Sequence, residues 1–420
     1  MSILTDLYLT GVSLALQTLI PTIILVATHK QSMLRYLTIP CMIWIFSCNL
    51  RPMDPYCQIF AFITGPIFMA IPQAATILLI HPLDANDLIR ENPGRTKSLI
   101  GLFYYAFEQQ SEPRAIETPR QVKGLHPHPA YYYDAKKGTT VVSRGSFLLR
   151  QFAVLVWQYA VLDVVQFAAH HKPVRPVIDG IFTRLDRNVS ITIWVERFAG
   201  NLLSWFLIAR ICIDSRYRIA SILLVGLGIN SPQDWPPLFG RMSDAYTLRN
   251  YWGTFWHQGL RQPLTSMSKL ITRDIMHLPR PSILERYTNV FLVFLGSGAL
   301  HLTTDIVMGI PFQSSGAVLF FTSFVLGYMI EDGVQAFYKR MKGPGAQTCS
   351  KYKRIVGYLW VALWLGISST AYRFPGSQRI PPHELRTVPV SISDRIGIVS
   401  AAGFTFIGGL ALLFGLKAEI

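Results

Sequence analysis

The sequence predicts an all-α polytopic membrane protein with about nine transmembrane helices, accompanied by interfacial or re-entrant helices. Half of the 420 residues are hydrophobic and only 15% are charged, whereas soluble domains carry about 25% charged residues. The mean hydropathy is +0.32. Several apolar stretches also reach the roughly 20 residues that a helix needs to cross the hydrocarbon core. We therefore expect one integral membrane domain over residues 1–420.

Nine stretches are predicted to cross the membrane, in chain order at residues 7–28, 36–50, 57–81, 147–169, 190–212, 289–310, 312–331, 355–373 and 395–416. The stretch 219–230 is apolar but too short, which predicts an interfacial or re-entrant piece. The loop 82–146 has mixed charge and is expected to hold amphipathic pieces on the membrane surface. The proline-rich loop 374–394 is expected to be a simple connection.

The basic residues predict the orientation of the chain, because cytosolic loops are enriched in Lys and Arg. The first six residues hold neither, whereas Lys30 and Arg35 follow the first stretch. The N-terminus is therefore expected to be lumenal and, after nine crossings, the C-terminus cytosolic. The net charge of +15 is spread over the loops, and no compact basic domain is present to bind a nucleic acid.

One ionisable side chain, His301, lies inside the predicted span 289–310. Such a group is costly in lipid and indicates a functional site by default. Ser297 and Asp305 lie four residues to either side, so both can face the same side of the helix as the imidazole. The alternative is a histidine that only bonds across helices.

A second histidine, His257, follows an aromatic segment in the loop before that span. Asp244 is a candidate cap for a helix here, in which Asn250, His257 and Arg261 would form a polar stripe opposite an aromatic face. A helix of this kind also suits a simple anchor in the headgroup layer.

The segments Leu248-Arg-Asn-Tyr-Trp-Gly-Thr-Phe-Trp-His257 and Gly296-Ser-Gly-Ala-Leu-His301 resemble the two signature segments of the membrane-bound O-acyltransferases. The similarity is to their wax-synthase-like branch, which fungi use to acylate secondary metabolites. It implies an MBOAT-like fold with a catalytic region at residues 231–340. Relatives often carry Asp where this chain has Asn250, so a carboxylate is replaced by a neutral amide.

The resemblance implies transfer of an acyl group, most simply acetyl, from acyl-CoA to a hydroxyl group of a lipophilic small molecule such as a terpenoid or meroterpenoid. Catalysis would fall to His301, as the base that takes the alcohol proton, and to His257. Asn250, Trp256 and Asp305 would support them.

The same resemblance implies that acetyl-CoA or another acyl-CoA is a co-substrate, and that no cofactor or metal is permanently bound. Arg249 and Arg261 are candidates to meet the phosphates of coenzyme A. The expected partners are acyl-CoA, the hydroxylated acceptor and the bilayer, without nucleic acid. The expected compartment is the endoplasmic reticulum.

The sequence is also compatible with other functions. A long-chain wax ester synthase would use the same residues. A proton-coupled secondary transporter would use His301 and Asp305 as a relay, although no internal repeat of the transporter kind is visible. His170-His171 is the only paired histidine box, whereas di-iron enzymes need several. The five cysteines show no metal spacing.

Overall fold

The part of the chain that the computed structural model describes is built from α-helices, without a β-strand among the residues 3–53, 59–129, 132, 142–171, 191–342, 351–379 and 387–415. The helices are α1 (Ile3–Ala27), α2 (Met33–Asn49), α3 (Ile59–Ala75), α4 (Ala85–Glu91), α5 (Leu99–Ser111), α6 (Arg144–His170), α7 (Ile191–Leu203), α8 (Ala209–Gly226), α9 (Leu248–Asn250), α10 (Arg261–Lys269), α11 (Ile283–Val307), α12 (Ala317–Lys342), α13 (Lys351–Arg379), α14 (Ser393–Ile396) and α15 (Ile398–Leu410). Turns of π-helix extend α3, α7, α9, α10 and α15.

Seven helical segments of the described chain are long and apolar enough to cross a membrane. They are Leu4–Ala27, Ile63–Ile80, Arg144–His170, Ile191–Gly226, Ile283–Val307, Phe312–Met341 and Lys351–Gly376. The other two predicted spans also form helices, but α2 has only 17 residues and the last apolar helix covers Ile398–Phe414. The multi-pass architecture is confirmed, whereas the count of nine crossings is not.

The prediction of a separate interfacial or re-entrant piece at 219–230 is wrong. The helix runs without a break from Ile191 to Gly226. Polar residues around 214–218 lower the hydropathy there, but they are paired inside the protein: Asp214 accepts hydrogen bonds from Arg218 Nε and from Gln158 Nε2, each at 2.6 Å. The helix can therefore continue through a stretch that looks polar in sequence.

Helix α13 also extends beyond its predicted end. It continues to Arg379 through Pro375, so the first residues of the predicted loop 374–394 are helical. The rest of that loop as far as residue 386 lies outside the described residues. Within the loop 82–146, where amphipathic pieces on the membrane surface are expected, the structure has the helices α4 and α5. Their first turns are capped by Asp84, which accepts from Asp87 N, and by Ser98, which accepts from Gly101 N.

The chain divides into two compact units. The first comprises residues 1–123, 258–350 and 371–379, and α1 packs in it against α2, α3 and α5. Arg35 is fully buried there. Its guanidinium donates to the Thr28 hydroxyl at 2.9 Å and to the Leu83 carbonyl at 2.7 Å. Arg35 thus connects the end of α1 to the segment after α3. It is a buried structural residue, whereas the orientation prediction counted it as a basic residue of a cytosolic loop.

The second unit comprises residues 124–257, 351–370 and 380–420. Helix α6 forms its centre and packs against α8, α14 and α15. Asp163 of α6 accepts hydrogen bonds from the backbone N–H and the hydroxyl of Ser393, both at 2.7 Å. Trp157 donates its indole N–H to the Thr405 carbonyl at 3.0 Å. These contacts join α6 to the C-terminal helices.

Candidate functional site

His301 is held on two sides by aromatic side chains of the first unit. Its imidazole stacks on the Phe321 ring, with centroids 4.4 Å apart and an interplanar angle of 11°. The Tyr372 hydroxyl lies 3.0 Å from Nδ1. Tyr372 is itself stacked on Phe320 at 5.5 Å. The ring of His301 therefore has a fixed plane and a fixed rotation.

The two nitrogens of His301 are in different situations. Nδ1 is engaged by Tyr372, whereas Nε2 meets no hydrogen-bond partner within the described parts of the chain. When Nδ1 carries the ring proton and donates it to Tyr372 Oη, Nε2 presents a lone pair. This tautomer is the one that can accept a proton from another molecule.

Three glycines let the helices around His301 approach closely. A Cβ on Gly298 would lie 2.9 Å from the Val318 Cα, and one on Gly316 would lie 2.0 Å from the Ala371 carbonyl oxygen. A Cβ on Gly296 would meet the Leu264 side chain at 2.7 Å. The glycines next to His301 therefore serve close packing of α11 against α10 and α12.

Asp305 lies one turn after His301 on α11 and is 6% exposed. Its carboxylate accepts a hydrogen bond from the Ser315 hydroxyl at 2.6 Å. An acid that supports His301 would form a hydrogen bond with Nδ1, but the hydroxyl of Tyr372 already bonds to that nitrogen. The direct partner of Asp305 is thus the turn that precedes α12.

The aromatic segment of the second unit is shorter than the expected helix. Thr247, and not Asp244, caps it by accepting from Asn250 N at 3.0 Å. The helix continues as a π-helical turn to Phe255, and Trp256 is extended. His257 consequently lies beyond the helix end, and the predicted polar stripe stops before it.

Trp256 lies in a cluster of aromatic rings. It stacks on Tyr251 at 5.7 Å and contacts Trp205 and Phe239 edge-on at 5.5 and 5.2 Å. His257 also meets the Phe239 ring edge-on at 5.7 Å. Burial raises the pKa of Tyr251 well above its ordinary value, and its hydroxyl has no partner among the residues described. The segment thus forms a packed aromatic platform with polar groups at its end.

The remaining candidates are the arginines proposed for coenzyme A. Arg249 and Asn250 are half-buried in the aromatic segment. Arg261 is exposed, and it donates to the Lys123 carbonyl at 3.0 Å and to Gln258 Oε1 at 3.2 Å. Arg210 was not among the predicted site residues. Its Cζ atom lies 5.5 Å from the centre of the Phe255 ring.

The predicted residues fall into two groups. His301, Asp305 and Arg261 belong to the first unit, and Arg249, Asn250, Trp256 and His257 to the second. Tyr372 and Phe321 were missed because each lies in an apolar span without a motif around it. Within the described ranges, no group of three or more His, Cys, Asp or Glu side chains is arranged to hold a metal ion.

Comparison with known proteins gave consistent matches. Residues 235–323 match the profile described as "Membrane bound O-acyl transferase family". The acetyltransferase atnC of Arthrinium sp is 37% identical over 91% of this chain and 91% of its own length. The acetyltransferase pyr8 of Aspergillus fumigatus is 35% identical over 96% and 95%, and the acetyltransferase TRI7 of Fusarium sporotrichioides is 36% identical over 83% and 81%. No solved structure matches the chain.

Proposed function

Because the chain belongs to the membrane-bound O-acyltransferase family, it is an acyltransferase, and we propose that it moves an acetyl group from acetyl-CoA to a hydroxyl group of a lipophilic small molecule. The observation that carries this proposal is the state of His301. Its ring is fixed by Phe321 and Tyr372, and one nitrogen remains without a partner among the described residues. A general base needs a ring in a fixed orientation with one nitrogen that can accept a proton, and His301 meets this requirement.

The proposed reaction proceeds by direct transfer. His301 Nε2 takes the proton of the acceptor hydroxyl while the alcohol oxygen attacks the thioester carbonyl. The new C–O bond forms, the C–S bond breaks, and the coenzyme A sulfur receives the proton from His301. Tyr372 Oη accepts from Nδ1–H throughout, so it holds the tautomer and stabilises the imidazolium while it exists.

His257 keeps its proposed role as a supporting catalytic residue. It would donate a hydrogen bond to the acceptor or to the thioester oxygen, on which negative charge develops. Asn250 and Trp256 would hold the segment that carries it, and Arg249 and Arg261 would bind coenzyme A phosphates. The roles of His257, Arg249 and Arg261 are each tested by replacing that residue with alanine.

The acyl group is proposed to be acetyl because three relatives that cover most of the chain are named acetyltransferases. The acceptor class, a hydroxylated terpenoid or meroterpenoid, follows from the resemblance of the two signature segments to the fungal branch. A location in the endoplasmic reticulum would give the enzyme both cytosolic acyl-CoA and membrane-dissolved acceptors. The transporter hypothesis is set aside, since the chain is an acyltransferase.

The proposal is tested with the purified full chain, radiolabelled acetyl-CoA and a panel of terpenoid alcohols. We expect labelled ester from at least one alcohol and none from its methyl ether, which has no proton for the base to take. Palmitoyl-CoA with fatty alcohols tests the long-chain alternative. If ester forms only with palmitoyl-CoA, the proposed acetyl transfer is wrong and the enzyme is a wax ester synthase.

A further inference from the structure

Two turns of π-helix pack against each other in the second unit. One contains Trp205 and joins α7 to α8, and the other covers Tyr251–Phe255 and ends two residues before His257. The Trp205 indole contacts the rings of Trp252 and Trp256 edge-on, with centroids 5.7 and 5.5 Å apart. Turns of this kind are rare and occur frequently at functional sites. Trp205 therefore packs against the residue that directly precedes the second histidine.

Helix α13 fixes the orientation of Trp205. The indole N–H donates to the hydroxyl oxygen of Ser369 at 2.7 Å, and that hydroxyl donates its own proton to the Leu365 carbonyl. Because a hydroxyl has only one proton, Ser369 can act toward Trp205 only as an acceptor. Trp205 is 5% exposed and Ser369 is fully buried. A buried N–H without its acceptor is costly, so the indole is held in one position.

A second polar contact joins α7 to α13 one turn earlier. Asn201 donates its two amide protons to the Gly366 carbonyl and to the Thr370 hydroxyl, both at 2.8 Å. Asn201 lies four residues before Trp205, so both side chains are on one face of the helix. A Cβ on Gly366 would lie 2.2 Å from the Phe198 ring, so the two helices approach closely here. The position of Trp205 is thus set by a tight helix pair.

Helix α13 also contacts the residues that lead into the aromatic segment. The Tyr358 hydroxyl donates to the Met242 carbonyl at 3.1 Å. A Cβ on Gly357 would lie 2.0 Å from the Tyr246 carbonyl oxygen, so the backbone of this segment lies directly on the helix. One helix therefore holds the aromatic segment directly at its start, and near its end through the Trp205 indole.

We propose that Ser369 is a positioning residue, which acts through Trp205 and Trp256 to place His257 for acyl transfer. Without the Ser369 acceptor, the buried indole would turn toward another partner, and Trp256, which packs on it, would move as well. The backbone of His257 follows directly from Trp256. This role rests on the function proposed above for His257 and adds to it a residue of α13 that no motif in the sequence indicates.

The test is a kinetic cycle of Ser369→Ala and His257→Ala with the purified full chain. Ser369→Ala should lower kcat about tenfold, as expected for one buried hydrogen bond, with KM for acetyl-CoA unchanged. In the His257→Ala enzyme the same replacement should change kcat by less than about twofold, because the group that it positions is absent. An equal loss in both enzymes would overturn the proposal.

The matched control is Ser221→Ala, which should leave kcat unchanged. Ser221 is 1% exposed in the same unit, and its hydroxyl donates to the Arg218 carbonyl at 2.8 Å. If Ser369→Ala does not fold, Trp205→Phe removes the same hydrogen bond from the other side and should show the same loss of kcat and the same dependence on His257.

A second measurement does not depend on turnover. The full chain is labelled with 5-fluorotryptophan, and the ¹⁹F resonance of Trp256 is assigned with Trp256→Phe. The resonance should shift in Ser369→Ala and stay in place in Ser221→Ala. An unshifted resonance, in a protein whose His257→Ala variant is slow, would overturn the positioning role alone. An unchanged kcat in His257→Ala would refute the role proposed for His257 and the positioning role with it.

Discussion

Tyr372→Phe removes one hydrogen bond from the proposed base and leaves the ring packing in place. The hydroxyl lies 3.0 Å from His301 Nδ1, and the phenyl ring can keep the stacking of Tyr372 on Phe320. In the transition state His301 becomes positively charged, and a hydrogen bond to a charged group contributes about 1.5–3 kcal/mol. At about 1.4 kcal/mol for each factor of ten, kcat should fall roughly 10- to 150-fold, while KM for acetyl-CoA stays the same.

The assay is steady-state acetyl transfer by the purified variant, with the melting temperature as a check on folding. Tyr287→Phe is the matched control, because it removes a tyrosine hydroxyl that donates to Asp332 at 2.8 Å without touching His301. Its kcat should stay within about twofold of the unmodified enzyme. A Tyr372→Phe enzyme that is equally fast would refute the idea that this hydroxyl sets the tautomer of His301.

Three further predictions concern the second histidine, the arginines and helix packing. His257→Ala should lower kcat by about 100- to 1,000-fold if it stabilises the developing oxyanion; an unchanged kcat would reduce it to a packing residue. Replacing Arg249 or Arg261 by Ala should raise KM for acetyl-CoA about tenfold with little change in kcat, and an unaltered KM in kinetic assays would remove that residue from the coenzyme A site. Gly316→Ala should destabilise the protein by about 1–3 kcal/mol, because the new Cβ would lie 2.0 Å from a carbonyl oxygen. Gly333→Ala, which meets nothing within 4 Å, should be neutral or stabilising in the same thermal melts.

Much of the fold could be predicted from hydropathy, because spans in lipid must be helical and apolar over a set length. The spans around α1, α6 and α11 were predicted to within a few residues, apart from the start of α11. The helix over Ile191–Gly226 was not, since the buried Asp214 and the half-buried Arg218 lower the hydropathy of a segment that is continuous. Arg218 pairs with Asp214 from one turn along the same helix, but the second donor to Asp214 is Gln158 of α6. A contact from another helix is a tertiary property, which a hydropathy window cannot register.

The candidate site was only partly predictable. The position of His301 in a span and the aromatic segment before His257 were visible as patterns. The partner of His301 was not, because Tyr372 lies 71 residues away along the chain in a helix without a motif. Asp305 was the natural candidate by its spacing on α11, yet its carboxylate bonds to Ser315. Helical spacing shows which residues share a face, but it does not show which groups arrive from neighbouring helices.

His301 is the base in the proposed mechanism, so the most direct measurement is kcat of the purified His301→Ala enzyme with acetyl-CoA and an accepted alcohol. We expect kcat to fall by about 100- to 10,000-fold, the usual contribution of a positioned base, in a protein that melts at the same temperature. The control is His29→Ala, at an exposed histidine of the same unit, which should be fully active. A folded His301→Ala enzyme with kcat within about twofold of the unmodified protein would contradict the mechanism.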